Sequence, residues 1–201
     1  MISDENWKKI DDAKKTADEY KMWGVGKLLR HAQPWLNSVP VVGKCYSIDE
    51  VCDGLYISDF ASACYEDKLK EQGITHIVTL MPGVGEMYPK SFVYLPIDIC
   101  DRTYVDIKTY FNNASEFIDK AIKKGGKDGK PGKVLVHCHY GVSRSATICA
   151  AYLISKLNMT CEKSIELLKS KRDIVKPNDE FVKQLLTYEN DIAKLKEKKE
   201  E

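Results

Sequence analysis

Three apolar stretches of the chain, Ile74–Leu80, Phe92–Ile97 and Val134–Val136, show little alternation of polar and apolar positions. Such runs, rich in β-branched residues, predict strands covered on both faces. Val51–Ser58 reads as a strand pair folded at Asp53–Gly54, a dipeptide suited to a tight hairpin turn. Elsewhere the period becomes that of a helix. Ser58–Asp59 can cap a helix over 61–72, which Gly73 closes. Tyr110, Phe111, Ala114, Phe117, Ile118, Ala121 and Ile122 give a broad apolar face to a longer helix that starts at Thr103 or Asp106. Ala146–Ile154 has almost no polar residue and predicts a buried helix. Another helix is expected over Thr160–Ser170, with Thr160 as its cap. A last one runs from Asp179 to about Lys196, started by Pro177–Asn178 and striped by Phe181, Leu185, Leu186 and Ile192. Strands and helices alternate, so the fold expected is α/β, a central mixed β-sheet flanked by α-helices.

Residues 1–48 follow a different pattern. Trp7, Ile10, Ala13, Ala17 and Tyr20 recur at helical spacing among charged residues, which predicts a helix from about Asp4 to Met22. Gly24 and Gly26 break it, and a short helix over Lys27–Gln33 stops before Pro34. The division expected is an N-terminal helical extension at 1–48 and the main domain at 49–201. Two readings of the extension stand. Trp7, Trp23 and Trp35 pin it to the domain, or it docks a partner.

Composition narrows the classes. A chain of 201 residues can bury a core without covalent staples. A net charge of +1 gives no general attraction to nucleic acid or to an anionic membrane. No apolar run is long enough to span a bilayer, and no signal, myristoylation or prenylation motif is expected. Seven cysteines, an odd number without framework spacing, point to free thiols in a reducing compartment, the cytoplasm or the nucleus. No Cys/His spacing suits zinc.

The candidate chemistry lies where the strand Val134–Val136 ends. His137 and Cys138 follow it, then a short turn through Gly141, then a helix that opens at Arg144. The first N–H groups of a helix lack partners within it, and its N-terminus carries partial positive charge. Amides of the turn can curl around a tetrahedral anion, and an arginine fork can hold two of its oxygens. The same positive field favours a thiolate at Cys138, and a thiolate beneath a bound phosphoryl group is placed for in-line attack. A merely structural cysteine would leave the Gly, Arg and Ser spacing unexplained. The glycine- and lysine-rich stretch 123–133 is a different matter. It enters the strand at its start, about 16 Å from Cys138, and reads as a solvated loop. His76 reads as a strand histidine with its hydrogen bonds satisfied.

Cys-x5-Arg followed by Ser resembles the signature of the cysteine-dependent protein phosphatases. The form His137-Cys138-x-x-Gly141-x-Ser143-Arg144-Ser145 looks most like the small dual-specificity phosphatases, and the resemblance covers roughly Asp49 to Glu189. It implies a protein tyrosine phosphatase-like fold with the catalytic domain at 49–201. By the same resemblance Cys138 is the nucleophile, and His139, Tyr140, Gly141, Val142, Ser143 and Arg144 bind the phosphoryl group. Ser145 assists release of the thiolate. His137 orders the loop. In related phosphatases the acid is an aspartate on the loop after the preceding strand, and Asp101, 37 residues before Cys138, matches it. Asp98 and Asp106 compete for that role. Arg172 is a candidate contact for a second phosphate or an acidic substrate residue. No metal or cofactor is implied. The substrate expected is a phosphoprotein, dephosphorylated on tyrosine and on serine or threonine, since the loop interior has no lysine of the kind met in relatives that act on inositol lipids. A protein kinase is a candidate partner, because Lys27–Leu28–Leu29–Arg30 is similar to kinase-docking sequences. Cys100 and Cys149 are candidates to trap an oxidised Cys138 as a disulfide.

Overall fold

The structure is a computed structural model, and it describes residues 46–126 and 129–200. The helices read at Asp4–Met22 and Lys27–Gln33 lie outside these residues. The first hairpin forms where Asp53–Gly54 predicts it. Strand β1 (Ile48–Cys52) pairs antiparallel with β2 (Leu55–Ser58), and Gly54 takes φ +77° in the turn. Strands β3 (His76–Leu80), β4 (Val93–Ile97) and β5 (Val134–His137) complete one sheet in the order β1-β2-β5-β3-β4. All pairings except β1–β2 are parallel. The sheet is therefore mixed, as expected, with β5 at its centre.

Burial follows the pleat. Leu55, Ile57, Val78, Leu80, Val134 and Val136 face the larger core, while Tyr56, Ile77 and Leu135 face the other side. Short helices α1 (Phe60–Ala63) and α2 (Glu66–Glu71) cover that second side through Ala63 and Leu69. Helices α3 (Phe111–Lys124), α4 (Arg144–Leu157), α5 (Cys161–Lys171) and α6 (Asp179–Glu200) build the larger core. Helix α4 is buried from Arg144 through Ile154, which is why its sequence lacks a polar stripe. Strand β4 is partly exposed rather than covered on both faces as expected, because it forms one sheet edge, and there Pro96 costs no ladder bond on the unpaired side.

Two boundaries differ from expectation. The helix expected over 61–72 is split in two at Cys64–Tyr65. Its cap is as predicted, since Asp59 Oδ1 accepts from Ser62 N at 2.7 Å. The break has a tertiary cause. The Tyr88 hydroxyl takes the Cys64 carbonyl at 2.6 Å, and Tyr65 turns its ring edge-on to Tyr46. The long helix begins at Phe111 behind a single 3-10 turn, Lys108–Tyr110, rather than at Thr103 or Asp106. The segment before it is held by α6. Gln184 accepts from Lys108 N at 3.0 Å and donates to the Val105 carbonyl at 2.9 Å.

Candidate active site

His137, the last residue of β5, stands in register with Ser58 of β2 and Thr79 of β3, so Cys138 emerges at the carboxyl edge of the central strand. The next five carbonyls are all engaged. His139 O accepts from Phe60 N at 3.1 Å, and Val142 O from Lys176 N at 2.9 Å. Ser143 O takes both the amide and the hydroxyl of Thr147, at 2.8 and 2.9 Å. Arg172 donates to the two between, through Nη2 to Tyr140 O at 3.3 Å and through Nε to Gly141 O at 3.1 Å. In a trans peptide the N–H of the following residue points opposite to the carbonyl. Carbonyls tied outward from 139 to 143 therefore turn the amides of 140 to 144 inward, toward one concave surface beside Cys138. Gly141 is needed for this curl. Its φ is +68°, and a Cβ there would lie 2.6 Å from the Ser58 carbonyl oxygen.

Cys138 is buried, and its Sγ lies 3.2 Å from Ser145 Oγ. Arg144 opens α4, and Nη1 donates to the Ile99 carbonyl at 3.1 Å, which ties it to the segment bearing Asp101. Ser143 occupies the N-cap position without capping. Its hydroxyl instead donates to Asp101 Oδ1 at 3.0 Å, and the Asn178 side-chain amide donates to the same oxygen at 2.8 Å. Of the three candidate carboxylates, Asp101 is the one the structure joins to the loop. Asp98 is exposed and braces the 82–85 loop by accepting from Gly83 N at 2.9 Å. Asp106 is exposed and precedes the 3-10 turn, so it does not sit in a helix's first turn as expected. His139 and Tyr140 stack at 4.0 Å between ring centroids, and Tyr140 is largely exposed. A cavity of about 820 Å³ opens beside the loop, lined in part by Asp101, Tyr104, Val142, Ser143, Lys176 and Asn178.

His137 is fully buried, and its Nε2 meets Thr79 Oγ1 at 3.0 Å. Burial, with Arg144 nearby, pushes its pKa down to about 4, so the imidazole is neutral near pH 7. His76 bonds the Thr75 hydroxyl and packs edge-on against Phe117, as a structural histidine would. Arg172 corrects the expectation made for it. Its side chain is buried against the back of the loop, where Nη1 also reaches Asp49 at 2.6 Å and the Ser47 hydroxyl at 3.1 Å. It is neither a surface arginine nor placed to receive a second phosphate. The sequence does not show this, because its partners come from the loop about thirty residues before it and from Ser47 and Asp49, more than a hundred residues before it. Asn178 was read as a helix start, and its bond to Asp101 was missed, as was the role of Gln184. The Pro-Asn dipeptide announced the cap and nothing more. Cys149 is fully buried in α4, and burial pushes its thiol well up. The six cysteines among the described residues are free thiols. Among the described residues no three His, Cys, Asp or Glu side chains gather as a metal site, and no helix is long and apolar enough to cross a membrane.

A cysteine at the end of a central parallel strand, an amide-lined loop behind it, a buried arginine opening the next helix and a carboxylate bonded to that loop define the class of cysteine-dependent phosphatases. Comparison with known proteins narrows this. The family model "Dual specificity phosphatase, catalytic domain" matches residues 55–191, and the chain belongs to that family. Dual specificity protein phosphatase 1B of Arabidopsis thaliana is 41% identical over 156 residues, covering 78% of this chain and 90% of that protein. Human dual specificity protein phosphatase 1 is 35% identical over 143 residues, which are 71% of this chain and 37% of the human protein. The crystal structure of the human tyrosine phosphatase-like serine/threonine/tyrosine-interacting protein superposes with a TM-score of 0.65 at 31% identity, over 71% of this chain and 95% of that one. The fold is that of the protein tyrosine phosphatases, and the chain is a dual-specificity protein phosphatase of the cysteine-dependent class.

Proposed function

We propose that this chain hydrolyses phosphotyrosine and phosphoserine or phosphothreonine in proteins through a phosphocysteine on Cys138. The Cys138 thiolate attacks phosphorus in line, and the bond from phosphorus to the leaving oxygen breaks. Asp101 gives that oxygen its proton. The resulting carboxylate then takes a proton from the water that attacks the phosphocysteine. Inorganic phosphate leaves, and Ser145 donates to the departing sulfur. Arg144 and the amides of 140 to 144 hold the three remaining phosphoryl oxygens and meet the charge of the transition state. The outward tethering of the five loop carbonyls carries this reading, because it aims a fixed set of donors at one spot beside a buried thiol. The two exposed tyrosines near the site, Tyr104 and Tyr140, offer aromatic surface to a peptide, which supports a protein substrate. The free cysteines support a reducing compartment, the cytoplasm or nucleus. The catalytic domain at 49–201 and the docking of a kinase by the extension belong to the same reading.

Hydrolysis of a small aryl phosphate tests it. The wild type is expected to turn over in the presence of a chelator and to be inhibited by vanadate, and Cys138→Ser to lose at least about a thousandfold in kcat. Turnover retained by Cys138→Ser would overturn the mechanism. A folded wild type that binds a phosphotyrosine peptide and never turns it over would replace this reading with that of a phosphate-binding module.

A further inference from the structure

The acid loop, the phosphate loop and the start of α6 meet at one side chain. Asn178 caps α6, where its Oδ1 accepts from Phe181 N at 2.9 Å. That bond fixes which end of the amide is oxygen, so the NH2 end faces away from the helix, and it donates to Asp101 Oδ1 at 2.8 Å. The backbone N–H of Asn178 donates to Ser143 Oγ at 3.1 Å. A hydroxyl that accepts there has a single proton to direct elsewhere, and Ser143 sends it to the same Asp101 Oδ1 at 3.0 Å. Two donors thus converge on one carboxyl oxygen, and each is oriented by Asn178.

We infer that Asn178 is a positioning residue for the general acid, one that fixes the carboxyl plane of Asp101. The inference rests on the assignment of Asp101 made above. The chemistry is direct. The terminal torsion of an aspartate is broad, so an untethered carboxyl samples many orientations and offers its proton from either oxygen. Holding the carboxyl in one orientation converts a search into a fixed geometry, and proton transfer to a leaving group is sensitive to such placement. Asn178 reaches the reaction only through Asp101. Its effect must therefore appear where the acid matters and vanish where it does not.

The alternative is that Asn178 is a helix cap with no part in proton transfer, and one substitution separates the two. Asn178→Ser keeps an acceptor at the cap, since serine caps as well as asparagine, but removes the donor to Asp101. The measurement is kcat for a series of aryl phosphates whose leaving-group pKa runs from about 5 to about 10. The wild type should depend weakly on the leaving group and Asp101→Asn steeply. Asn178→Ser should lose about tenfold on the most basic leaving group and less than about twofold on the least basic one. Added to Asp101→Asn, it should change nothing further. Asn178→Thr also keeps the cap acceptor without adding charge beside Asp101, and it should show the same leaving-group selectivity if the serine variant folds poorly. A loss equal for all leaving groups, or one that adds in full to Asp101→Asn, would overturn the inference and leave the acid assignment standing. An Asp101→Asn variant no steeper than the wild type would remove the acid assignment and this inference with it.

Discussion

His137 shows how a buried residue next to a reactive one leaves a signature in stability. In the folded chain its pKa is near 4, and in an unfolded chain near 6.5. Between these values the unfolded chain holds more protons, so stability falls as pH falls through the window, by about 3 kcal/mol once pH is below both. His76 is shifted in the same direction by burial and adds to the slope. Urea unfolding of the wild type and of His137→Gln from pH 7 to pH 4 should show the variant losing most of this slope while keeping the part due to His76. Equal slopes would mean that His137 is not buried as a neutral base. Its burial comes from the structure, while its place at the end of a buried strand was legible in the sequence. The partner, Thr79, was not, because it comes from the neighbouring strand in a register the sequence does not state.

At the scale of elements, the strands were readable because β2, β3 and β5 are covered on both faces and their composition says so. Helix α4 was readable for the same reason. The elements that moved were those whose ends are set by contacts across the fold, such as the split at Cys64–Tyr65 and the start of α3. The same division runs through the site. Cys138, Arg144 and Ser145 lie within eight residues, and local spacing gave them away. The clamp of Arg172 on the loop between β5 and α4 lay beyond that reach, although it joins the end of α5 to the start of β1. A lysine cannot span four acceptors with one ammonium group. Arg172→Lys should therefore loosen the Tyr140–Gly141 carbonyls and weaken vanadate binding about tenfold, with helix content unchanged. Vanadate inhibition measured beside circular dichroism tests this, and wild-type affinity in a folded variant would remove the clamp from the account.

At the scale of the molecule, every part named in the site lies at or after Ser47, and the family match spans residues 55–191. Deleting residues 1–45 should leave kcat/KM for a small aryl phosphate within about twofold of the full chain. A larger loss would give the extension a share in catalysis, and lost affinity for a protein partner with intact turnover would mark it as a docking arm. The clamp on the phosphate loop has a consequence in time as well as in space. Asp49 belongs to the first strand, Arg172 closes the fifth helix and Asn178 opens the last, so the loop is held by contacts that span well over a hundred residues of chain. Contacts of such separation are slow to form and form together. A chain still emerging from the ribosome can contain Cys138 and Arg144 and yet have no phosphate pocket, because the segments that hold its carbonyls have not been made. Activity should therefore be the last property to appear on refolding, and it should measure completion of the whole domain.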